Sequence, residues 1–208
     1  MKHAKMTACV LAAALCLSVP TSGLAASSSK TTTAKKTVKK GLKKENGKYY
    51  YYKNGKKVKN KWVTIKSGKT KYKYYFGKNG AAYMGKKEYG VSVPAVKKIG
   101  KYYYGFDTKG RMIKGTYYIN GKFYTFSSST GKMSSTNTKK LRSASKYRAN
   151  YATLKKLLSK LGVKPKKTEY FGYSCYGDGE DGLVTYKNFK VSVFKNTKGK
   201  VIVLGVFN

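Results

Sequence analysis

Three carboxylates separated by glycines, Asp178, Glu180 and Asp181 in the segment GDGEDG, form the one acidic cluster of the sequence. Such a cluster could hold a cation or supply two carboxylates to a glycosidase. Its spacing is not that of a calcium loop, and no second acidic cluster is available to face it. We therefore interpret the segment as a hairpin turn whose acids neutralise nearby lysines, and we predict no metal site and no catalytic residue.

Cys175 could act as a nucleophile or form a disulfide with another chain. The one histidine, His3, and the other two cysteines, Cys9 and Cys16, fall within a predicted signal peptide. The exported chain then has no histidine to activate a thiol. A serine with a lysine base is also conceivable, but lysine is so abundant that its presence is uninformative. We predict an inert, partly buried thiol, no cofactor and no enzymatic activity.

The first 25 residues have the pattern of a secretory signal peptide. Lys2 and Lys5 precede an apolar stretch over residues 8–19, and small residues precede a predicted cleavage site before Ala26. The apolar stretch is too short to span a bilayer as a stable helix, and no later segment is apolar enough to do so. An exported chain without a disulfide framework suggests a protein secreted and retained at the wall or surface of a Gram-positive type bacterium.

Positive charge dominates the composition. The chain has 46 Lys+Arg and 7 Asp+Glu, so loss of Lys2 and Lys5 leaves 44 basic against 7 acidic residues, a net charge of +37. Such a field attracts polyanions and weakens as salt rises. The expected partner is an anionic or carbohydrate polymer of the cell wall, or an anionic lipid surface. Nucleic acid is not expected, because the chain is exported.

Two regions precede the C-terminal part. Residues 26–44 are rich in Ser, Thr, Ala and Lys and contain no acid, so we predict a disordered basic linker that either grips the wall or acts as a spacer. Residues 45–135 repeat one pattern of Gly-Lys, an aromatic run, a turn ending in glycine and a polar stretch. The four copies are GKYYYYKNGKK from Gly47, KYKYYFGKNGA from Lys71, GKYYYGFDTKGR from Gly100 and GKFYTFSSSTGK from Gly121.

The turns of these repeats predict β-hairpins. Asn-Gly pairs, in which both residues favour positive φ, occur at 46–47, 54–55, 79–80 and 120–121. A two-residue turn at 120–121 pairs Tyr117 with Tyr124 and Tyr118 with Phe123. Isolated hairpins are marginally stable, so neighbouring units must stack into a solenoid. Residues 86–99 break the period and are predicted to form an insertion loop.

The Gly-Lys, paired aromatics, turn glycine and Trp62 after the turn resemble the cell-wall-binding repeats of Firmicutes, over residues 45–135. That family includes choline-binding and glucan-binding repeats, which form β-hairpin solenoids, so the resemblance implies non-covalent attachment to a wall polymer. The family's choline cages use paired tryptophans and a tyrosine. Here Trp62 is the one tryptophan, and the equivalent positions hold Tyr117 and Lys87. Because lysine repels a quaternary ammonium, we expect a sugar or polyol phosphate rather than choline.

The candidate ligand-binding residues are aromatic side chains. Their rings could stack on the apolar face of a sugar while neighbouring lysines meet phosphate. Alternate residues of a strand point to opposite faces, so one face of each hairpin can pack on its neighbour while the other meets the ligand. The alternative for every ring is a place in the solenoid core. The candidates are Tyr50, Tyr52, Trp62, Tyr74, Phe76, Tyr103, Tyr117 and Tyr124.

Residues 138–208 predict a separate α+β module. An apolar stripe over residues 143–161 predicts one helix, ended by Gly162 and Pro165. The expected strands are 168–175, 182–186, 190–194 and 201–207, with turns at 177–182 and 196–199. The segment YSCYGDGEDGLVTYKNFKVSVF is similar to a small module of exported Firmicutes proteins and to the layout of β-lactamase-inhibitor-like half domains. That similarity implies no particular function.

The predicted fold class is therefore mostly β with a small α+β domain: β-hairpin solenoid repeats followed by a helix packed on an antiparallel sheet. The predicted function is non-covalent binding of teichoic acid, peptidoglycan or glucan by the repeats, with the C-terminal module displayed at the surface. In one alternative, the C-terminal module is a protein-binding or inhibitory domain with an unknown protein partner. In a second, the chain is a wall hydrolase, against which the missing histidine and the missing paired carboxylates both count.

Overall fold

Antiparallel pairing between strands that are neighbours in sequence makes up most of the fold. The computed structural model describes residues 38–208, so the predicted signal peptide and residues 26–37 of the predicted linker lie outside the described residues. The first twelve strands are β1 (Gly41–Glu45), β2 (Lys48–Lys53), β3 (Lys56–Lys57), β4 (Lys61–Ser67), β5 (Thr70–Phe76), β6 (Lys86–Glu88), β7 (Val91–Val93), β8 (Ala95–Ile99), β9 (Tyr102–Phe106), β10 (Met112–Ile113), β11 (Gly115–Ile119) and β12 (Lys122–Phe126).

The C-terminal part contains both helices of the described residues. Its elements are α1 (Ser135–Ala144), α2 (Tyr151–Lys160), β13 (Lys167–Tyr170), β14 (Gly179–Thr185), β15 (Lys190–Asn196) and β16 (Val201–Phe207). The four strands form one antiparallel sheet in sequence order. The predicted class, mostly β with a small helix-and-sheet part, is confirmed. Within residues 38–208, neither helix has the length and apolar character needed to cross a bilayer.

Asn-Gly turns close the hairpins as their chemistry predicts. Asn46, Asn54 and Asn120 each adopt a positive φ of 47° to 49°, and the glycine after each has a φ of 74° or 75°. The turn at 120–121 sets the predicted register, with Tyr117 opposite Tyr124 and Tyr118 opposite Phe123. The pair at 79–80 behaves differently, because Asn79 instead accepts a hydrogen bond from the Ala81 N–H at 3.0 Å. That prediction of a two-residue hairpin is therefore wrong.

Strands form in two segments where the sequence predicted none. The predicted insertion loop over 86–99 is a short hairpin, β6–β7, followed by β8. Its turn is Tyr89-Gly90, in which Tyr89 has a φ of 47° that bulky residues rarely adopt. The predicted disordered linker over 26–44 overlaps β1, which pairs along its full length with the aromatic strand β2.

Each repeat places an aromatic ring at the same buried position, near the end of the strand that follows its first turn. These rings belong to Tyr52, Phe76, Phe106 and Phe126, and none is more than 5 % exposed. In the second and fourth repeats, the segment after the turn glycine also bonds to the preceding unit. Ala82 N–H donates to the Tyr49 carbonyl at 2.8 Å, and Met133 N–H donates to the Tyr103 carbonyl at 2.9 Å. The hairpins are therefore stacked by both side chains and backbone.

The predicted single helix over 143–161 is wrong, because the chain forms two helices with a break between them. Arg148, in the break, has a positive φ of 62°. Asn150 starts the second helix by accepting a hydrogen bond from the Ala152 N–H at 2.8 Å. An asparagine at this position satisfies a backbone donor that the first turn of a helix leaves free. Leu154 and Leu158 then point into the core and are fully buried.

The C-terminal strands follow the predictions to different extents. β16 has the predicted bounds, and β15 extends two residues beyond its prediction. β13 ends at Tyr170 rather than 175, and β14 begins at Gly179, inside the predicted turn. The acidic segment therefore starts a strand in which Glu180 lies opposite Lys195.

The core of the C-terminal part extends into the last repeat. Phe123 of β12 has no exposed surface and packs with Leu141, Leu154 and the sheet valines. Its ring meets that of Phe189 edge-on, with centroids 4.9 Å apart. The Arg142 Nε donates to the Phe123 carbonyl at 2.9 Å. The last hairpin is therefore a structural part of the C-terminal core, although the sequence predicted a division between 135 and 138.

Candidate functional site

Three of the eight aromatic candidates are core residues. Phe76 has no exposed surface, and Tyr52 and Tyr74 are 5 % and 6 % exposed. The Tyr52 hydroxyl donates to the Glu45 carboxylate at 2.9 Å, and burial raises the pKa of Tyr74. Their faces are closed to a ligand, because alternation along the strand turns them toward the neighbouring hairpin.

The other five candidates keep some exposed surface. Tyr103 is the most open, at 43 % exposure. Tyr117 lies 6.5 Å from Phe126 between ring centroids, and burial raises the pKa of its hydroxyl. Trp62, Tyr50 and Tyr124 are half-buried. Of these five, Tyr103 therefore offers the most accessible surface for stacking.

Trp62 joins the second repeat to the third. Its ring meets Tyr75 across its own hairpin edge-on at 5.2 Å, and it meets Tyr104 and Phe106 of β9 at 4.9 and 5.9 Å between centroids. The Lys73 ammonium lies over the Trp62 ring, 4.9 Å from its centroid. Trp62 is thus chiefly a packing residue, and a cation of the chain itself occupies one of its faces.

The outermost ring of each aromatic row carries a cation of the chain. Arg111 lies over Tyr72 at 4.7 Å, and Lys132 lies over Tyr102 at 3.7 Å. The equivalent position is lysine in the first and last repeats, so the next ring inward takes this role. Accordingly, Lys57 lies 3.5 Å over Tyr50, and Arg142 lies 4.6 Å over Tyr124.

In three of these four pairs, the cation comes from the following unit of the chain. Arg111 follows the third turn and covers a ring of the second unit, and Lys132 follows the fourth turn and covers a ring of the third. Arg142 belongs to α1, which follows the last hairpin. The sequence analysis missed Tyr72 and Tyr102. Their period-2 spacing from the buried Tyr74 and Tyr104 marks them as members of the same rows.

A groove of about 560 Å³ lies beside these pairs, and we call it the hairpin groove. Tyr72 and Tyr104 line it together with four lysines and three hydroxyl side chains. Thr64 and Lys73 stand directly opposite each other on β4 and β5. The lining residues are Thr64, Lys71, Tyr72, Lys73, Tyr104, Met112, Lys114, Ser129, Thr130 and Lys132. The groove can therefore offer ammonium groups to an anion and hydroxyls to a polyol.

The acidic residues are mostly neutralised by cations close to them. Salt bridges join Glu45 to Lys39 and Lys57, Glu88 to Lys86, Asp107 to Arg111, Glu169 to Lys167 and Glu180 to Lys195. The hydrogen bonds from Lys39 and Tyr52 lower the pKa of Glu45 from 4.5 to about 2. None of the salt bridges of residues 38–208 involves a lysine of the hairpin groove, so that groove keeps its full positive charge.

The residues first considered for chemistry are separated by their contacts. Asp181 accepts a hydrogen bond from the Ser174 hydroxyl at 2.7 Å, and Glu180 pairs with Lys195 at 2.8 Å. Asp178 is exposed. Cys175 is a free, exposed thiol, so the prediction of partial burial is wrong because it lies in a surface loop between β13 and β14. No group of three metal-binding side chains occurs within residues 38–208.

Comparison with known proteins gives matches only among solved structures. No protein-family model matches the chain, and no curated protein matches it significantly. Choline binding protein F of Streptococcus pneumoniae is 18 % identical over 78 % of this chain and 42 % of its own, with a TM-score of 0.35. The multimodular pneumococcal cell wall endolysin of phage Cp-1, complexed with choline, is 18 % identical over 78 % of this chain and 36 % of its own, with a TM-score of 0.37.

A third similar structure is a truncated alternansucrase of Leuconostoc mesenteroides. It is 17 % identical over 76 % of this chain and 11 % of its own, with a TM-score of 0.34. The chain therefore spans less than half the length of each of these three structures. Of the three, the first is a choline binding protein and the second was determined in complex with choline.

Proposed function

We propose that this protein attaches non-covalently to an anionic, carbohydrate-rich polymer of the cell wall, through the basic and aromatic surface of its hairpin repeats. One observation carries the proposal: the outer aromatic ring of each row is already covered by a cation of the chain. The surface that remains for a ligand is therefore formed by lysines and arginines, with open rings such as Tyr103 between them.

A cationic ligand is disfavoured at these rings. A cation over an aromatic face contributes roughly 0.5–2 kcal/mol. A choline headgroup would have to displace a cation of the same chain, which loses no translational or rotational freedom of association when it covers the ring. The Lys132 ammonium, 3.7 Å from the Tyr102 ring centroid, is such a competitor. An anionic polymer meets no such competition, because its phosphates approach the donors of lysines and arginines on their solvent side.

Local charge balance supports an anionic partner. Five of the seven acids are held in salt bridges with cations close to them. The remaining lysines form no salt bridge within residues 38–208. Their positive field attracts polyanions, and the range of this attraction shortens as the salt concentration rises. Lysine as a point charge and tyrosine as a stacking face together suit a polymer of sugars or polyols joined by phosphate.

The test is sedimentation of the full chain with isolated cell walls, before and after removal of their phosphate polymers. We expect binding to fall as salt rises yet to leave a salt-resistant remainder, and we expect stripping to remove the salt-sensitive part. Tyr103→Ala should reduce the remainder, whereas Tyr89→Ala, at an exposed tyrosine of the β6–β7 turn, should not. Binding that ignores both salt and stripping would contradict the electrostatic part. Elution by millimolar choline would contradict the argument from covered rings.

A second candidate function is recognition of a protein by the C-terminal part, favoured by one exposed aromatic patch. Phe171 is 50 % exposed and Tyr173 is 74 % exposed, and they neighbour the free thiol of Cys175. Aromatic side chains are enriched at protein interfaces. A photo-crosslinker attached to Cys175 on intact cells should then give a discrete protein adduct that Phe171→Ser with Tyr173→Ser abolishes. Crosslinks to wall polymer alone would exclude this second function.

A further inference from the structure

A second basic groove lies where the last repeat meets the C-terminal part, and we call it the junction groove. Its volume is about 410 Å³. One side is formed by the start of β11, and the other side by the segment after α2 and the turn between β14 and β15. Three lysines from the C-terminal side line it: Lys164, Lys166 and Lys187. The groove therefore combines a hairpin wall with a wall from the C-terminal part.

Lys114 connects the two grooves. It precedes β11 and lines both the hairpin groove and the junction groove. Lys71, Lys73 and Lys132 line the hairpin groove, and the three C-terminal lysines line the junction groove. No carboxylate lines either groove, and none of these seven lysines takes part in a salt bridge of residues 38–208. The two grooves thus meet at Lys114, and we call them together the basic track.

Contacts across the junction hold the two walls in place. The Asn188 side-chain amide donates to the Thr116 carbonyl at 2.9 Å. Lys166 N–H donates to the Thr185 carbonyl at 2.7 Å, which ties the segment after α2 to the sheet. The buried ring of Phe123 joins the two parts beneath the surface. Because the walls are fixed, the ordering cost of forming the track is small, and a ligand can use all of its charges.

We infer that a linear polyol phosphate lies along this track, so that the C-terminal part supplies about half of the polymer-binding site rather than being displayed by it. This inference rests on the proposed function and names the ligand and its path. Lysine ammonium groups bind successive phosphates as point charges. Thr64, Ser129 and Thr130 place hydroxyls in the hairpin groove, where they can bond to the hydroxyls of the polyol.

The aromatic rings of the track argue against single-stranded nucleic acid. Proteins that bind such strands stack bases on open aromatic faces. In the hairpin groove, Arg111 covers the Tyr72 ring and Tyr104 is buried. In the junction groove, Phe189 is also buried and Tyr117 is half-buried. The track offers charge without a row of stacking platforms, which suits a polymer without bases.

The experiment measures binding of poly(glycerol phosphate) to the full chain across a salt series. The first variant replaces Lys164, Lys166 and Lys187 with glutamine, and the second replaces Lys71, Lys73 and Lys132 with glutamine. The control replaces Lys139, Lys140 and Lys155 with glutamine. These are exposed helix lysines that line neither groove, so the control loses the same charge.

We expect the control to bind within about twofold of the unchanged chain, since net charge alone acts weakly at physiological salt. Each groove variant should bind at least roughly tenfold more weakly. The slope of its log affinity against log salt should be smaller in magnitude by about 2, because each of the three lost phosphate contacts contributes roughly 0.7 to the slope. A junction variant that binds like the control would overturn the inference and leave the proposed function standing. If the unchanged chain fails to bind the polymer, the proposed function fails with it.

Two further arms complete the test. Single-stranded DNA of matched charge should bind more weakly than poly(glycerol phosphate), and equal binding with the same loss in both variants would overturn the assignment to a polyol phosphate. Circular dichroism melts check that the glutamine variants fold. The single change Lys187→Gln, at an exposed turn residue, should itself weaken binding about threefold, so a folding failure of the triple variant does not leave the inference without a test.

Discussion

Phe123 makes the last hairpin and the C-terminal part a single cooperative unit, and this coupling can be measured. The ring has no exposed surface, packs edge-on against Phe189 with centroids 4.9 Å apart, and contacts Tyr118 at 5.2 Å. Its replacement by alanine, Phe123→Ala, leaves a cavity that rigid neighbours on two elements cannot fill. Loss of a buried phenylalanine side chain costs about 3–5 kcal/mol. The free energy of unfolding of β14–β16 should fall by that amount.

Native-state hydrogen exchange reads this free energy separately for each strand. In Phe123→Ala, the core amides of β14, β15 and β16 should exchange roughly 100-fold to 4,000-fold faster, since each 1.4 kcal/mol is a factor of ten. The matched control is Phe76→Ala, which removes an equally buried ring from the cluster around β5. In a repeat protein the effect of such a change falls off with distance along the stack. The control should therefore change exchange in β14–β16 by less than about threefold.

The reasoning is refuted if Phe123→Ala speeds exchange only in β11 and β12 and leaves β14–β16 unchanged. The hairpin would then be attached to a C-terminal part that is stable by itself. Equal effects of the two alanine variants on β14–β16 would also refute the reasoning. The whole of residues 38–208 would then unfold as one unit, and the coupling would not be specific to the last hairpin.

Three other predictions concern polar groups and covered rings. The hydroxyls of Tyr151 and Tyr186 share a buried hydrogen bond of 2.9 Å, so Tyr151→Phe should cost about 1–3 kcal/mol in urea unfolding, and adding Tyr186→Phe should recover most of it. Burial raises the pKa of Tyr151 above its ordinary 10.0, so this tyrosine stabilises the fold fully below pH 10. The free energy of unfolding of the unchanged chain should therefore fall as pH rises above 10. In the double variant, which lacks both hydroxyls, this fall should be smaller. Hydrogen bonds from Lys39 and Tyr52 lower the pKa of Glu45 from 4.5 to about 2. The unchanged chain should therefore melt at a higher temperature than Glu45→Gln above pH 4.5, and this difference should vanish as pH falls toward 2. Lys101→Ala combined with Lys132→Ala removes both ammonium groups that lie over the Tyr102 ring and should create a weak choline site that titration calorimetry detects, whereas the unchanged chain should show none.

Local turn chemistry made the hairpins predictable. Two residues, asparagine then glycine, determine the turn at 120–121 and with it the register of β11 and β12. The turn at Tyr89-Gly90 carries no such signal, since a bulky residue such as tyrosine rarely adopts a positive φ. The apolar stripe likewise continues across the break between α1 and α2. Asn150 is a helix-capping residue that marks the start of α2 in the sequence, but the continuous apolar periodicity favoured a single helix.

The candidate site was harder to predict, because burial depends on the neighbouring unit. Alternation along a strand shows that Tyr72, Tyr74 and Phe76 share a face, but only stacking shows that Phe76 is fully buried while Tyr72 reaches the rim. The covering cations come from positions far along the chain, such as Arg111 over Tyr72. A sequence pattern of short period carries no information on contacts of this separation.

Every sheet of the described residues pairs strands that are neighbours along the chain. Contacts of short sequence separation are fast to form, because little loop entropy is lost before each pairing is made. A hairpin can close within about 1–10 μs, far faster than residues leave a ribosome at roughly 5–20 per second. Each repeat can therefore pair its strands soon after it leaves the ribosome and stack on the repeat made before it. The final hairpin differs, since Phe123 is covered only after residues up to Val203 of β16 are present. Folding of the chain is thus ordered in time, with the repeats complete early and the C-terminal end closing last.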